Sequence, residues 1–140
     1  MTHAARAPLA ALALVALAAG CVSVPPPPPP VSENSAVVAL VETARGDDGA
    51  GRHADAAATL ERALRMEPRN PRLWQELARV RLNEGSYEQA ETLAGRSSSW
   101  AGSDNRLRAE NWRIIAEARR GRGDTAGAQA ATDRADKLEH

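Results

Sequence analysis

The sequence predicts an all-α fold: three helical hairpins stacked side by side, behind a leader and a proline-rich spacer. Three observations predict it. Glycine recurs at Gly51, Gly85 and Gly123, near a period of 34, and an alanine follows each at the same offset, as Ala56, Ala90 and Ala128. Small and bulky residues recur at fixed places around these marks, which is the signature of a repeat architecture. The run Glu67-Pro68-Arg69-Asn70-Pro71 closes one unit and opens the next, because proline is tolerated in a first helical turn and not in an interior.

The first element is a leader, residues 1–20. Met1 to Pro8 carry one positive charge, Arg6, and an apolar run from Leu9 to Ala19 ends in small residues, the layout of a secretory signal. At 11 residues the run is well short of the roughly 20 a spanning helix needs. Export and cleavage are expected. Leu17-Ala18-Ala19-Gly20-Cys21 resembles the lipobox of bacterial lipoproteins, with leucine one place upstream of the commonest form. The resemblance implies a covalent lipid on Cys21, with no other cofactor. The alternative is cleavage after Ala18, which would leave a free thiol in an oxidising compartment. Val22 follows the cysteine in place of the aspartate that, in lipoproteins, retains the chain at the inner membrane, so the implied location is the outer membrane, facing the periplasm.

Residues 21–36 form the spacer. Pro25 to Pro30 lack amide donors and fix φ, so an extended polyproline II stalk is expected. The 13 residues from Val22 to Asn34 reach at most about 40 Å at about 3.1 Å each. A ligand for an SH3-like reader is the other use of such a run, and those readers are not expected around a bacterial lipoprotein.

Residues 37–140 hold the repeats, about 37–70, 71–104 and 109–140. Three helix pairs follow: Ser35–Asp47 with Ala54–Met66, Pro71–Glu84 with Tyr87–Ser99, and Asn105–Arg122 with Thr125–Leu138. Small residues let paired helices approach, large ones fill the space beside them, and glycine ends each first helix in a left-handed conformation. Trp74, Leu77, Ala78, Gly85, Tyr87 and Ala90 in the second unit, with Leu40, Ala44, Gly51, Ala56, Leu60, Ala63 and Pro68 in the first, resemble the tetratricopeptide repeat. Trp112, Ile115, Ala116, Gly123, Ala128 and Ala135 continue the resemblance in the third, which implies a right-handed α-solenoid. Asn105 to Arg108 are extra and are expected to add a turn at the start of the fifth helix, capped by Ser103 or Asp104. Gly95, Ser97, Ser98, Ser99 and Gly102 predict a dip in local stability.

Eighteen basic residues, 17 of them arginine, balance 18 acidic ones, so no positive field favours nucleic acid. One cysteine makes neither a disulfide nor a thiolate metal site. His53 and His140 have no nucleophile at motif spacing, and Asp47-Asp48 reads as a solvated helix end in preference to a metal site. Neither catalytic residues, a small-molecule substrate nor a metal is expected. Trp74 and Trp112 are expected in the core. Trp100 is expected to contact the following repeat, with an aromatic anchor for a partner as the alternative.

Tetratricopeptide folds bind proteins along the face lined by their first helices. Carried onto this chain, the resemblance implies Arg72, Gln75 and Arg79 from the second unit and Glu110, Arg113, Glu117 and Arg120 from the third, with Leu82 beside them and Val38, Val41, Arg45 and Asp48 from the first. The segments Pro71-Arg72-Leu73-Trp74-Gln75-Glu76-Leu77-Ala78 and Glu110-Asn111-Trp112-Arg113-Ile114-Ile115, on a stalked lipoprotein, are similar to the LpoP-type activators of bifunctional penicillin-binding proteins. That family implies a periplasmic synthase partner and a role in cell-wall synthesis. A scaffold for another envelope complex, such as a pilus secretin or an outer-membrane insertion machine, is the alternative, and such relatives usually carry more repeats. An accessory with its own catalysis is the third reading.

Overall fold

Four side chains set the helix starts. Asn34, Asn70, Asp104 and Asp124 accept hydrogen bonds from the backbone amides of Ala36, Arg72, Leu107 and Gly127, each cap contributing about 1 kcal/mol. A computed structural model describes residues 29–140; the leader, Cys21 and Pro25 to Pro28 lie outside the described residues. The elements are α1 (Ser35–Gly49), α2 (His53–Met66), α3 (Pro71–Asn83), α4 (Tyr87–Trp100), α5 (Asn105–Gly121) and α6 (Thr125–Glu139). Each bound falls within two residues of its expected place. Among the described residues no strand occurs, and no helix is long and apolar enough to cross a membrane.

The turn inside each hairpin needs a left-handed residue. Gly51, Gly85 and Gly123 supply it at φ +77°, +83° and +81°, a conformation costly for any side chain with a Cβ. Asp47 pairs with Arg52 in the first turn, and Asp48 bonds both His53 and Asn83. Ala44 faces Ala56, Ala78 faces Ala90 and Ala116 faces Ala128 in the repeat register, and all six are at most 3% exposed. That leaves the helices of a pair in close approach. Val37, Val41, Leu60, Leu64, Leu73 and Leu77 fill one core around α1 to α3, and Ala78, Ile114, Ile115, Ala118 and Ala131 fill a second around α3 to α6. A buried leucine stabilises by about 1.5–3 kcal/mol, so the alanine-rich second core gains less from burial.

The extra turn of α5 is real, since α5 has 17 residues against 13 in α3. It is placed as expected: α5 opens at Asn105 behind the Asp104 cap, so Asn105 to Arg108 form its first turn. Trp112, Ala116 and Gly123 follow Trp74, Ala78 and Gly85 by 38 positions, which puts the four extra residues before Trp112. Beside α3, however, α5 starts level with Pro71, so its C-terminal end runs past the end of α3 and packs on the start of α4: Arg119 and Arg122 bond Glu91, and a Cβ at Gly121 would clash with the Tyr87 ring.

Two edges result. The near edge collects the start of α1, the α2–α3 and α4–α5 turns and the end of α6; the far edge collects the three glycine turns. Stalk residues join the near edge, where Asn70 Nδ2 donates to the Val31 carbonyl at 2.9 Å and Ser32 Oγ to Glu67 at 2.6 Å.

Candidate functional site

The first helices of the three hairpins stand side by side and line a concave groove. Its upper part, about 620 Å³, is bounded by Val38, Val41, Arg45, Arg72, Arg79, Arg106 and Glu110, with Pro29 to Val31 at its mouth. Its lower part, about 490 Å³, shares Arg45, Glu76, Arg79 and Glu110 and adds Asp48, Leu82, Arg113 and Glu117. The floor is apolar, through Val41, Leu107 and Ile114, and the walls are charged.

The wall charges keep a strict period. Glu42, Glu76 and Glu110 are spaced by 34, as are Arg45, Arg79 and Arg113, which makes a ladder across the helices. Arg45 donates to Glu42 and Glu76, Arg79 lies 3.7 Å from Glu110, and Arg113 reaches Glu139 on α6. Arg72 meets Asp104 at 3.3 Å. Every groove arginine therefore has an internal carboxylate, and the partly exposed pairs are individually weak. Hydrogen bonding to Glu76 pushes the Arg45 guanidinium above its ordinary value, and bonding to Glu139 does the same for Arg113. The bond from Arg113 holds the Glu139 carboxyl below the usual carboxylate range. A depressed carboxyl contributes fully above its unfolded value and fails only as pH falls through the lowered one.

Six of the seven expected docking residues from α3 and α5 line this groove; two need correction in role or place. Gln75 borders the groove but is only 5% exposed, and its amide donates to Glu110 and to the Asn111 carbonyl, so it supports the wall and offers a partner little. Arg120 is outside the groove, because it lies in the last turn of α5, which runs past the end of α3. Arg72, Arg79, Glu110, Arg113 and Glu117 come together as expected.

Beneath the groove is a feature that the sequence concealed. Asn111, fully buried, donates to Ser97 Oγ at 2.8 Å and Ser98 Oγ at 3.1 Å, and accepts from Gln75 at 3.1 Å; Ser97 in turn donates to the Pro71 carbonyl at 2.8 Å. This polar junction ties repeat two to repeat three, and the serine-rich end of α4 supplies it. Trp100, expected against the following repeat, lies half exposed, with the Arg69 guanidinium of the preceding turn 5.4 Å from its ring centroid. Trp74 and Trp112 are partly buried against the cores, each covered by an arginine 22 places later, Arg96 and Arg134, at 4.7 Å.

A family model for the tetratricopeptide repeat matches residues 49–109. The solved structure of the globular C-terminal domain of LpoP from P. aeruginosa superposes with a TM-score of 0.73 at 42% identity, covering 75% of this chain and 99% of that one. This chain belongs to the LpoP family. No curated protein matches it. The chain is thus a tetratricopeptide-fold, protein-binding domain of the LpoP type.

Proposed function

We propose that this chain is a lipid-anchored periplasmic protein of the outer membrane that docks on a bifunctional penicillin-binding protein and favours its active state in peptidoglycan synthesis. The observation that carries this is the groove itself, charged on its walls and apolar on its floor, in a chain that matches almost the whole LpoP domain. Docking binds the synthase better in one state than the other, and that difference is what shifts its activity. No catalysis by this chain is part of the proposal, and Cys21 carries the covalent lipid.

Purified mature chain mixed with the cognate synthase is expected to form a complex and to raise the rate of glycan polymerisation. Absence of both complex and rate change would remove the proposal. Separately, Cys21→Ala is expected to move the protein from the membrane pellet to the soluble fraction after a high-salt wash, since no acyl chain then holds it. A variant that still sediments after that wash would show that the anchor is something else.

A further inference from the structure

Met66 and Trp100 are large apolar side chains left 47% and 46% exposed, and each ends a second helix at the near edge. Around them lie two stacked pairs, Arg69 on Trp100 and Arg96 on Trp74. Trp74 Nε1 donates to the Pro68 carbonyl at 2.9 Å, so both pairs meet at the Pro68-Arg69 turn. Their charge differs from that of the groove. Arg45, Arg72, Arg79, Arg106 and Arg113 all have a carboxylate partner, while Arg69 and Arg96 have none within ion-pair distance among the described residues. The acids nearby along the chain are already engaged: Glu67 accepts from Ser32 and Asn70, Glu91 from Arg119 and Arg122, and Asp104 caps α5 and meets Arg72. Glu33 is exposed on the stalk side. The same turn fastens the stalk, through Asn70 to Val31 and Ser32 to Glu67.

We infer that this edge is a second membrane contact, in which Arg69 and Arg96 bind the phosphates of anionic phospholipid headgroups while Trp100 and Met66 enter the interfacial layer. Indole rings favour the headgroup depth of a bilayer. A guanidinium stacked on an indole keeps its in-plane N–H donors free for phosphate oxygens. Val31 of the stalk is held by Asn70 next to Arg69, and Pro29 and Pro30 run on to the groove mouth along the same edge, so the tether attaches at the edge that carries these residues. The location rests on the lipid-anchor reading above; the chemistry of the patch does not.

The test uses the mature chain carrying Cys21→Ser, which removes any acyl contribution, with vesicles of phosphatidylethanolamine and phosphatidylglycerol or of phosphatidylcholine alone. The expected result is co-sedimentation with the anionic vesicles, weakened by salt, with a blue shift of tryptophan emission. Arg69→Glu with Arg96→Glu should weaken partition roughly tenfold or more, and Trp100→Ala should remove most of the shift at unchanged helicity. If the double glutamate variant loses helicity, Arg69→Gln with Arg96→Gln gives the same reading without charge reversal. Equal partition to both vesicle types, or partition untouched by the arginine variants, would overturn the inference. So would loss of binding to purified sacculi by those variants with vesicle binding intact, which would make the patch a glycan surface. Synthase capture in detergent does not involve lipid, so failure there leaves the vesicle result standing, and the reverse also holds.

Discussion

Asn111→Ala is expected to lower the unfolding free energy of the domain by about 3 kcal/mol, read by urea titration of the helical circular dichroism signal. The side chain is fully buried and takes part in three hydrogen bonds, to Ser97, Ser98 and Gln75. Truncation takes one hydrogen bond each from the buried Gln75 amide, the buried Ser97 hydroxyl and the part-buried Ser98 hydroxyl, and it opens a cavity between repeats two and three. The loss of partners dominates. Asn111→Leu fills the cavity but restores none of these bonds, so it should remain destabilising. Adding Ser97→Ala to Asn111→Leu should cost less than Ser97→Ala alone, since only the bond to the Pro71 carbonyl is then left to lose. Asn111→Ala and Ser97→Ala should therefore fall short of additivity by about 1 kcal/mol. Additive effects, or a loss below about 0.5 kcal/mol for Asn111→Ala, would show that the network contributes nothing beyond its pieces.

The junction was hidden for a physical reason. A lone asparagine in a helix reads as surface, and its burial shows only in register: Leu107, Ile114 and Ile115 sit at helical spacing around it, and all are buried. Helix existence, caps and glycine turns were legible because each depends on local chemistry that a few residues fix. Asp104 announces itself as a cap by type, and Pro71 marks a helix start by position. What was not legible depended on how one helix lies against another. The four surplus residues were read correctly at the start of α5, but the repeat register that follows them, 38 on from the second unit, put Arg120 into the groove and hid the ladder's period. Read at 34, the triads Glu42, Glu76, Glu110 and Arg45, Arg79, Arg113 are plain in the sequence. Trp100 stays half exposed with Arg69 stacked on it, while Ser97 and Ser98 make the hydrogen bonds to the third repeat.

Reversing three groove arginines together, with Arg72→Glu, Arg79→Glu and Arg113→Glu, is expected to weaken capture of the synthase by roughly a hundredfold, at near-native helicity. Each of these residues already has a carboxylate partner, so a docking segment gains only by exchanging one partner for another. That makes the order of charges along the groove, more than its net charge, the recognised feature. A charge swap separates the two effects of such a variant. Arg79→Glu with Glu110→Arg restores an ion pair of opposite polarity across α3 and α5 and should recover part of the stability that Arg79→Glu alone loses, the remainder going with the bonds Glu110 accepts from Gln75 and Arg106. Binding should stay weak in the swap if the partner reads charge order, because its own charges now face like ones. Were the swap to bind as tightly as the natural chain, the ladder would serve only to hold the hairpins in register. Were the triple variant to bind unchanged, the groove would not be the docking face. The salt dependence of association gives an independent reading: screening weakens the internal ladder and the docked contacts alike, and loss of the three arginines should flatten that dependence.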